Sequence, residues 1–197
     1  MRPHQQRRAC NALILCGGES RRLGGRDKSR MRLRPGLPPQ RERLAKMLSP
    51  LVRVVYFAGG NRQQRKAKAG TREICARRYL GQGPLEGLAA ASRVAGPWWL
   101  IIAVDSALEN CDFVRRLGRP AGGHSRFAQR RGDHGHSLYL LLPSRDLAAA
   151  EPLLRQSNQR VAHFLRTIDA CPVPQSHLPP NLNRIEDWRR ARWQRRI

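Results

Sequence analysis

The sequence predicts an α/β fold: a single-domain, three-layer α/β/α sandwich around a mainly parallel, Rossmann-like sheet. Strand and helix signals alternate along the chain, which is typical of a parallel sheet with helices on both faces. The chain has 197 residues, a length that suits one domain with a full core. Its 40% hydrophobic residues and four Trp indicate a globular rather than a disordered protein. We therefore expect one domain over residues 1–197, with residues 1–10 as a basic N-terminal extension.

Three strands and two helices are predicted in the first half of the chain. Apolar, β-branched and aromatic runs predict strands at residues 11–15, 52–57 and 98–104, and a Gly-Gly-Asn turn closes the second. Pro84 predicts a helix start, because proline is favoured at the first helical position. An earlier helix that stops near Pro50 is predicted by apolar residues at helical spacing, which are Leu44, Met47, Leu48 and Leu51.

The second half of the chain continues this alternation. A strand is predicted at residues 136–142, followed by helices at 147–154, 161–168 and 185–194. Four prolines are interpreted as the exit from the helix at 161–168; they are Pro172, Pro174, Pro179 and Pro180. Ligands of such sheets bind at the carboxyl ends of the strands. The residues that directly follow the strands are therefore the first candidates for a site.

The strong positive charge of the chain favours anionic partners. Its 38 Lys and Arg against 14 Asp and Glu give a net charge of +24 and a pI near 11.7. Such a field attracts nucleic acids, membrane surfaces and phosphorylated ligands. Basic residues are densest at 21–34, with seven bases and one acid, and at 189–196, with five Arg. The second stretch is interpreted as a solvated helix end, and an anionic partner there is the alternative.

Cysteine usage and hydropathy indicate a cytoplasmic protein. The five Cys are widely scattered without any C-x-x-C spacing, which argues against a disulfide framework and a zinc site. No apolar run approaches the roughly 20 residues of a membrane-spanning helix. The basic N-terminus leads into only a short apolar stretch, which argues against a signal peptide. We expect no membrane span and a reducing, cytoplasmic location.

Residues 13–29 carry the strongest functional signal. An apolar strand ending at Leu15 leads into Gly17-Gly18, a basic loop with Gly24-Gly25, and then Asp27-Lys28. Glycines let backbone N–H groups approach a phosphate closely, and cations offset its charge. The spacing differs both from the G-x-G-x-x-G of dinucleotide sites and from the P-loop, whose lysine directly follows a glycine. The segment indicates polyphosphate binding of another type; the alternative is an Arg/Gly-rich surface loop after a buried strand.

This arrangement resembles the signature G-G-x-S-x-R-M-G-x-x-D-K of the molybdenum cofactor guanylyltransferases and related nucleotidyltransferases. Leu23 stands for the Met, and Cys16 is the small residue usual before the glycines. The matching positions are Gly17, Gly18, Ser20, Arg22, Gly24, Asp27 and Lys28. The resemblance extends over residues 13–188 and implies a nucleotidyltransferase sheet.

Asp105 and Asn183 resemble two further motifs of that family. Asp105 ends the third predicted strand and resembles the metal-binding Asp of a Cys-Asp-x-Pro motif, here followed by Ser106-Ala107. The alternative for Asp105 is a helix N-cap or a turn carboxylate. Asn183 resembles the second Asn of N-x-N-T-P-x-D/E, with Arg184-Ile185 in place of Thr-Pro. An N-cap of the last helix is an equally favoured interpretation of Asn183.

Three more segments resemble parts of the family's nucleotide and acceptor sites. Gly83-Pro84-Leu85 resembles a G-P-L-x-G turn that opens a helix near the base and ribose; a plain proline-started helix is the alternative. The acidic residue that helps to read guanine in the family has no counterpart in residues 75–82. Arg160 lies in a stretch similar to an Arg-Arg-Val beside the acceptor pocket. His136 is similar to a His that begins its strand, rather than a zinc ligand.

The resemblance implies a role for each of these residues. Lys28, Arg22 and Asp105 are the expected catalytic residues, and Asp105 is the expected Mg²⁺ ligand. Asn183, Arg160 and His136 are the expected acceptor-pocket residues. The expected nucleotide-binding residues are Leu15, Cys16, Gly17, Gly18, Ser20, Gly24, Lys28, Asn61, Gly83, Pro84 and Leu85.

The implied reaction is a Mg²⁺-dependent transfer of GMP from GTP to the phosphate of molybdopterin, with release of pyrophosphate. GTP and molybdopterin are then the small-molecule substrates, and molybdenum-insertion proteins and molybdoenzymes are candidate protein partners. The alternatives are a related cytidylyl- or sugar-phosphate nucleotidyltransferase and a noncatalytic family member that binds a nucleotide or a partner. A nucleic-acid-binding module would explain the charge of +24, but no recognition motif supports it.

Overall fold

The computed structural model describes residues 10–17, 23–59, 70–74, 83–117, 123–132, 137–156 and 160–193. Seven strands form one sheet: β1 (Cys10–Leu15), β2 (Val55–Ala58), β3 (Thr71–Ile74), β4 (Trp98–Ala103), β5 (Arg126–Arg130), β6 (Leu140–Pro143) and β7 (Cys171–Gln175). The helices are α1 (Gln40–Leu48), α2 (Pro84–Ala91), α3 (Asp112–Arg116), α4 (Ser144–Leu147), α5 (Ala150–Arg155), α6 (Val161–Thr167) and α7 (Ile185–Trp193), and a 3-10 turn spans Lys28–Arg30.

The strand order is β3-β2-β1-β4-β6-β5-β7. Strands β1 to β4 are mutually parallel; β6 is antiparallel to both of its neighbours, and β5 and β7 again run parallel to each other. Six of the seven described strands therefore end at the same edge of the sheet, where β6 begins. The predicted mainly parallel sheet is confirmed, with one reversed strand.

Helices cover both faces of the sheet. Along β1, Ala12 and Ile14 pack with α1 and the residues of α3, whereas Leu13 and Leu15 pack with α2, α5 and α6. This division follows from the alternation of side chains along a strand. The central strand β1 is buried on both faces, so its sequence is apolar apart from Asn11 and does not alternate between apolar and polar residues. The predicted three-layer sandwich is confirmed.

A third apolar cluster lies outside the two main layers. It contains Leu23, Ala107, Leu182 and Trp188, with partly buried side chains of Met31 and Ile185 packed against it. Trp188 of α7 is fully buried, and its indole N–H donates to the carbonyl of Leu182 at 3.1 Å. The cluster joins the end of the chain to the loop that follows β1. Nothing in the local sequence patterns predicted this contact.

The structure corrects the interpretation of Pro172 and Pro174. They lie within β7, an edge strand, and do not mark the exit from a helix. The N–H of Cys171 donates to the carbonyl of Ser125, and the carbonyl of Gln175 accepts from the N–H of Arg131. The backbone groups of the alternate residues Pro172 and Pro174 therefore face away from β5. Proline is tolerated at outward positions of an edge strand because no ladder hydrogen bond is lost there.

Other predicted elements differ from the structure in extent. The helix predicted at 147–154 is divided into α4 and α5, and the strand predicted at 136–142 is found at Leu140–Pro143. Strands β3, β5 and β7 and helix α3 were not predicted. The remaining predicted elements are present within about three residues of their predicted ends. Among the described residues, no helix is long and apolar enough to cross a membrane.

The alkaline stability of the protein is expected to depend on buried thiols and a buried phenol. Burial raises the pKa of Cys10 from 9.0 to about 12, and it also raises the pKa values of Cys16 and Tyr139. At a pH between the ordinary pKa of such a group and its raised pKa in the folded protein, the group is deprotonated in the unfolded chain and protonated in the folded chain. The contribution of the two thiols to the free energy of unfolding is then fully present below about pH 9 and decreases above it, by about 1.4 kcal/mol per pH unit for each thiol. Tyr139, whose ordinary pKa is 10.0, adds to the decrease only above about pH 10.

Urea unfolding at pH 7 to 10.5 tests this expectation. The double variant Cys10→Ala/Cys16→Ala should show a shallower decrease above pH 9 than the natural protein. Cys171→Ala is the matched control, because Cys171 is exposed, and it should keep the full slope. Equal slopes in all three proteins would contradict the assignment.

Candidate active site

The turns after β1 and β2 are in direct backbone contact. The N–H of Cys16 donates to the carbonyl of Ala58 at 2.7 Å. Gly59 has a φ of +80°, and a Cβ added to it would lie 2.7 Å from both the Cα and the N of Gly17. Both a positive φ and a close backbone approach therefore require glycine at position 59. Gly17 of the loop that follows β1 (residues 16–25, called the glycine loop) thus meets Gly59, the first residue of the predicted Gly-Gly-Asn turn, at one edge of the sheet. Gly18, Ser20, Arg22, Gly60 and Asn61 lie outside the described residues.

The loop after β1 is shaped by glycine and an aspartate cap as it approaches Lys28. Gly24 and Gly25 have φ values of +61° and +75°, in a turn closed by Arg26 N–H to the carbonyl of Leu23 at 3.3 Å. The carboxylate of Asp27 then accepts from the N–H of Ser29 at 2.9 Å and caps the 3-10 turn. Asp27 therefore has a local structural role.

Lys28 brings three predicted site residues together. Its Nζ donates to Asp105 Oδ2 at 2.9 Å and to Asn183 Oδ1 at 2.6 Å. The side chains of Lys28 and Asp105 are each 17% exposed, so the ion pair is largely shielded yet reachable from solvent. These residues are separated along the chain by 77 and 155 positions. The cluster of an ammonium, a carboxylate and an amide is the chemical centre of the site.

The turn that carries Asp105 is bonded to the segment that carries Asn183. The carbonyl of Asp105 accepts from Leu182 at 2.7 Å, and Ala107 N–H donates to the carbonyl of Pro180 at 2.9 Å. Between them, Ser106 and Asn181 form an antiparallel bridge. Proline at position 107, which the resemblance leads one to expect, would lack the N–H that bonds to Pro180. In this chain, Ala107 ties the two segments together.

The side-chain oxygen of Asn183 accepts a hydrogen bond from Lys28 Nζ. The N-terminus of α7 is tied by Asp187 instead, whose Oδ2 accepts from the N–H groups of Asn183 at 3.0 Å and Arg184 at 2.7 Å. An acidic side chain at the third helical position that reaches back in this way is half of a capping box. The side-chain contacts of Asn183 therefore favour a role as a partner of Lys28 over a role as the N-cap of α7.

The Gly83-Pro84-Leu85-Glu86-Gly87 segment places α2 tightly against the sheet. Gly83 has a φ of +78° and a ψ of −160°, a conformation essentially restricted to glycine, and Pro84 is the first helical residue. Leu85 is fully buried. A Cβ on Gly87 would overlap Leu15 and lie 3.1 Å from Ala58 Cβ. Gly83, Pro84, Leu85 and Gly87 each have a packing or conformational role, and together they place the first turn of α2 beside the ends of β1 and β2.

Two polar residues that the sequence analysis missed, Gln40 and Arg43, support the turn that carries Asp105. Gln40 is fully buried, and its Nε2 donates to the carbonyl of Ser106 at 2.6 Å. Arg43 donates to the carbonyl of Leu108 at 2.6 Å and to the Oε1 of Gln40 at 2.9 Å. Gln40 starts a helix and Arg43 is one of many arginines, so no sequence signal distinguished them.

A pocket of about 420 Å³ lies beside this turn. It is lined by Arg130, Ser137, Tyr139, His177, Leu178, Pro179, Pro180 and Asn181. Arg130 is the last residue of β5, and the other lining residues precede β6 or follow β7, so the pocket is at the same sheet edge as Asp105. His136 lies outside the described residues. Arg160 is exposed and directly precedes α6, whose buried residues belong to the layer with α2.

The donor set around Lys28 suits a hard divalent cation. The Asp105 carboxylate and the Asn183 amide oxygen are oxygen ligands, which Mg²⁺ prefers. No group of three or more His, Cys, Asp and Glu that could hold a metal occurs within the described ranges. Mg²⁺ commonly uses one or two carboxylates together with substrate phosphates. The residues therefore fit a magnesium ion that is shared with a nucleotide.

Most of the chain is similar to known nucleotidyltransferases. The family profile described as the MobA-like NTP transferase domain matches residues 12–171. A probable molybdenum cofactor guanylyltransferase from Opitutus terrae is 32% identical over 92% of this chain and 89% of its own length. A molybdenum cofactor guanylyltransferase from Ectopseudomonas mendocina is 30% identical over 90% of this chain and 89% of its own.

A solved structure, the molybdopterin-guanine dinucleotide biosynthesis protein A from Archaeoglobus fulgidus, has the same fold. It superposes with a TM-score of 0.73 and 19% sequence identity, over 92% of this chain and 96% of its own. At this identity the likeness supports the fold, while the family rests on the sequence matches.

Proposed function

The chain belongs to the molybdenum cofactor guanylyltransferases of the MobA-like NTP transferase family, and from that membership we propose that it transfers GMP from GTP to the terminal phosphate of molybdopterin. An oxygen of the molybdopterin phosphate forms a bond to the α-phosphorus of GTP. The bond from that phosphorus to the bridging oxygen breaks, and pyrophosphate leaves with the electron pair. The observation that carries the proposal is the convergence of Lys28, Asp105 and Asn183 next to the glycine loop.

Lys28 is the residue that we assign to the leaving pyrophosphate. An ammonium has three protons, and two of them point at Asp105 and Asn183. The third can be donated to a phosphate oxygen in the crevice, where negative charge grows as the bond breaks. Asp105 and Asn183 thereby fix the direction of the Lys28 side chain. Arg22 is proposed to assist, as a second cation from the same loop.

The glycine loop is proposed to hold the triphosphate. Gly17 abuts Gly59 and leaves no side chain between the backbone and a ligand. Backbone N–H groups can then reach phosphate oxygens, as they do in other glycine-rich anion sites. The residues proposed to line this nucleotide site are Leu15, Cys16, Gly17, Gly18, Ser20, Gly24, Asn61, Gly83, Pro84 and Leu85.

The protein requires no nucleophilic side chain for this reaction. The nucleophile is the phosphate of the acceptor, and burial raises the pKa of the nearby Cys16 thiol, which keeps it protonated. Mg²⁺ on Asp105 would neutralise phosphate charge and hold the attacking and leaving groups in line. Asp105 supplies the carboxylate, and the Asn183 amide supplies a neutral oxygen beside it.

The acceptor is proposed to bind on the side of Asp105 opposite the glycine loop. Asn183, Arg160 and His136 remain its proposed residues, and the pocket lined by Arg130 and His177 offers additional polar groups near Asp105. The net charge of +24 would raise the local concentration of two highly anionic substrates.

We place the reaction in the cytoplasm, with molybdenum-insertion proteins and molybdoenzymes as the partners that supply or receive the cofactor. The described cysteines Cys10, Cys16, Cys111 and Cys171 are all free thiols, which is consistent with a reducing compartment.

A turnover assay with each nucleoside triphosphate tests the proposed function. The purified chain is mixed with Mg²⁺ and molybdopterin, pyrophosphate release is followed, and the dinucleotide product is identified by mass spectrometry. We expect turnover with GTP. Turnover with CTP alone would change the assigned nucleotide from GTP to CTP. This outcome is tested because residues 75–82 contain no Asp or Glu that could recognise guanine. Tight GTP binding without turnover would instead favour a noncatalytic protein.

A further inference from the structure

Tyr139 lies between the 420 Å³ pocket and the turn that carries Asp105. It is 3% exposed and directly precedes β6. Its hydroxyl lies 2.6 Å from Ser106 Oγ and donates to the carbonyl of Pro179 at 3.1 Å. A phenol has one proton, so Ser106 is the donor in the first of these bonds. The Oγ of Ser106 then accepts from the N–H of Leu108 at 3.2 Å, and every hydroxyl in the chain of bonds is satisfied.

The two segments that Tyr139 joins carry the two partners of Lys28. Ser106 directly follows Asp105, and Pro179 begins the stretch that leads to Asn183. Ser106 is fully buried, and Gln40 holds its carbonyl from the other side at 2.6 Å. A shift of either segment would change the distance from Asp105 or Asn183 to Lys28. The tyrosine hydroxyl thus links the Asp105 turn and the Asn183 segment by side-chain hydrogen bonds, in addition to the backbone hydrogen bonds between them.

We infer that Tyr139 is a positioning residue for GMP transfer, whose hydroxyl holds the Asp105 turn and the Asn183 segment at the spacing that Lys28 requires. The inference rests on the proposed function and adds a residue that does not touch Lys28 itself. Burial raises the pKa of Tyr139, so the hydroxyl remains protonated and able to donate throughout the neutral range. Its ring packs edge-on against Phe113, with centroids 4.7 Å apart. Phenylalanine would keep this packing and lose only the hydroxyl.

Tyr139→Phe is therefore the informative variant, with Tyr56→Phe as its matched control. Tyr56 is equally buried, in the layer on the opposite face of the sheet. We expect Tyr139→Phe to lower kcat about tenfold, the loss that corresponds to one misplaced or missing hydrogen bond, while KM for GTP changes less than about twofold. Tyr56→Phe should change neither constant by more than about twofold.

A second measurement reads the position of Lys28 without turnover. The rate at which an amine-acylating reagent labels Lys28 is compared by mass spectrometry with that of Lys46, an exposed lysine of α1. In Tyr139→Phe the Lys28 rate should rise severalfold toward the Lys46 rate, because Asp105 and Asn183 hold the ammonium less well. Ser106→Ala removes the same hydrogen bond from the other side, and the double variant should be no worse than the more damaged single variant.

The outcomes separate the inference from the proposed function. Failure of the natural protein to transfer GMP would overturn the proposed function, and the labelling rates would still decide the role of Tyr139. Equal behaviour of Tyr139→Phe and Tyr56→Phe in kcat and in Lys28 labelling would overturn the inference alone. Loss of stability in Tyr139→Phe with unchanged kcat and labelling would also overturn it, since that is the result of a purely structural role.

Discussion

Lys28→Gln is expected to lower kcat for GMP transfer by about 10²–10³-fold, the range found when one preorganised transition-state donor is removed. Glutamine retains a polar side chain that can donate to Asp105, so the site should remain folded. The positive charge is lost, and with it the stabilisation of charge that develops on the leaving pyrophosphate. KM for GTP should rise much less than kcat falls, because that charge grows mainly in the transition state.

Steady-state kinetics with GTP and molybdopterin measure this effect, and Lys46→Gln is the control. Lys46 lies in the last turn of α1, is exposed, and carries the same charge. It should leave kcat within about twofold of the natural value, as is usual for a surface substitution. A Lys28→Gln protein with nearly natural kcat would exclude Lys28 from the chemistry and leave it as a structural partner of Asp105.

Trp188→Ala is expected to reduce the free energy of unfolding by about 3–5 kcal/mol, the usual cost of truncating a fully buried tryptophan. The effect should not stop at stability. Trp188 packs in the same cluster as Leu23, at the far end of the glycine loop, and as Leu182, next to Asn183. A cavity at this point would loosen two segments that converge on Lys28. Urea unfolding followed by far-UV circular dichroism measures the loss of stability.

Two conservative variants separate the functional part of this effect. Trp188→Phe loses an indole N–H bond to Leu182 at 3.1 Å, and Trp99→Phe loses an indole N–H bond to Ser144 at 3.0 Å. Both tryptophans are fully buried, so both variants should lose comparable stability. Only Trp188→Phe should also lower kcat/KM for GTP. An equal effect of the two on kcat/KM would show that the third cluster has no specific role in the site.

Much of the fold follows from local patterns in the sequence. Continuous apolar runs predicted β1 and β4 because both faces of these strands are covered, and Pro84 marked the start of α2. The edge strands were not predicted. Thr71–Ile74 and Cys171–Gln175 have mixed exposure and, in β7, two prolines, so their strand conformation depends on neighbours that local composition does not reveal.

Much of the site was also predicted, for a related physical reason. The expected residues Gly24 and Gly83 have positive φ values, which favour glycine, and such backbone requirements are reflected in the local sequence. Lys28, Asp105 and Asn183 were identified through resemblance. Gln40, Ser106 and Tyr139 were missed, because a glutamine at a helix start or a tyrosine before a strand has no distinctive pattern of its own.

The sequence by itself determined the alternating α/β architecture, the glycines at positions 24 and 83 that adopt a positive φ, and the chemical types at the site. Only the tertiary structure decided that Lys28 contacts Asp105 and Asn183, across 77 and 155 positions, and that Tyr139 and Trp188 support them. Periodicity and backbone requirements act over a few residues, whereas contacts between distant side chains depend on how the sheet and its covering segments pack.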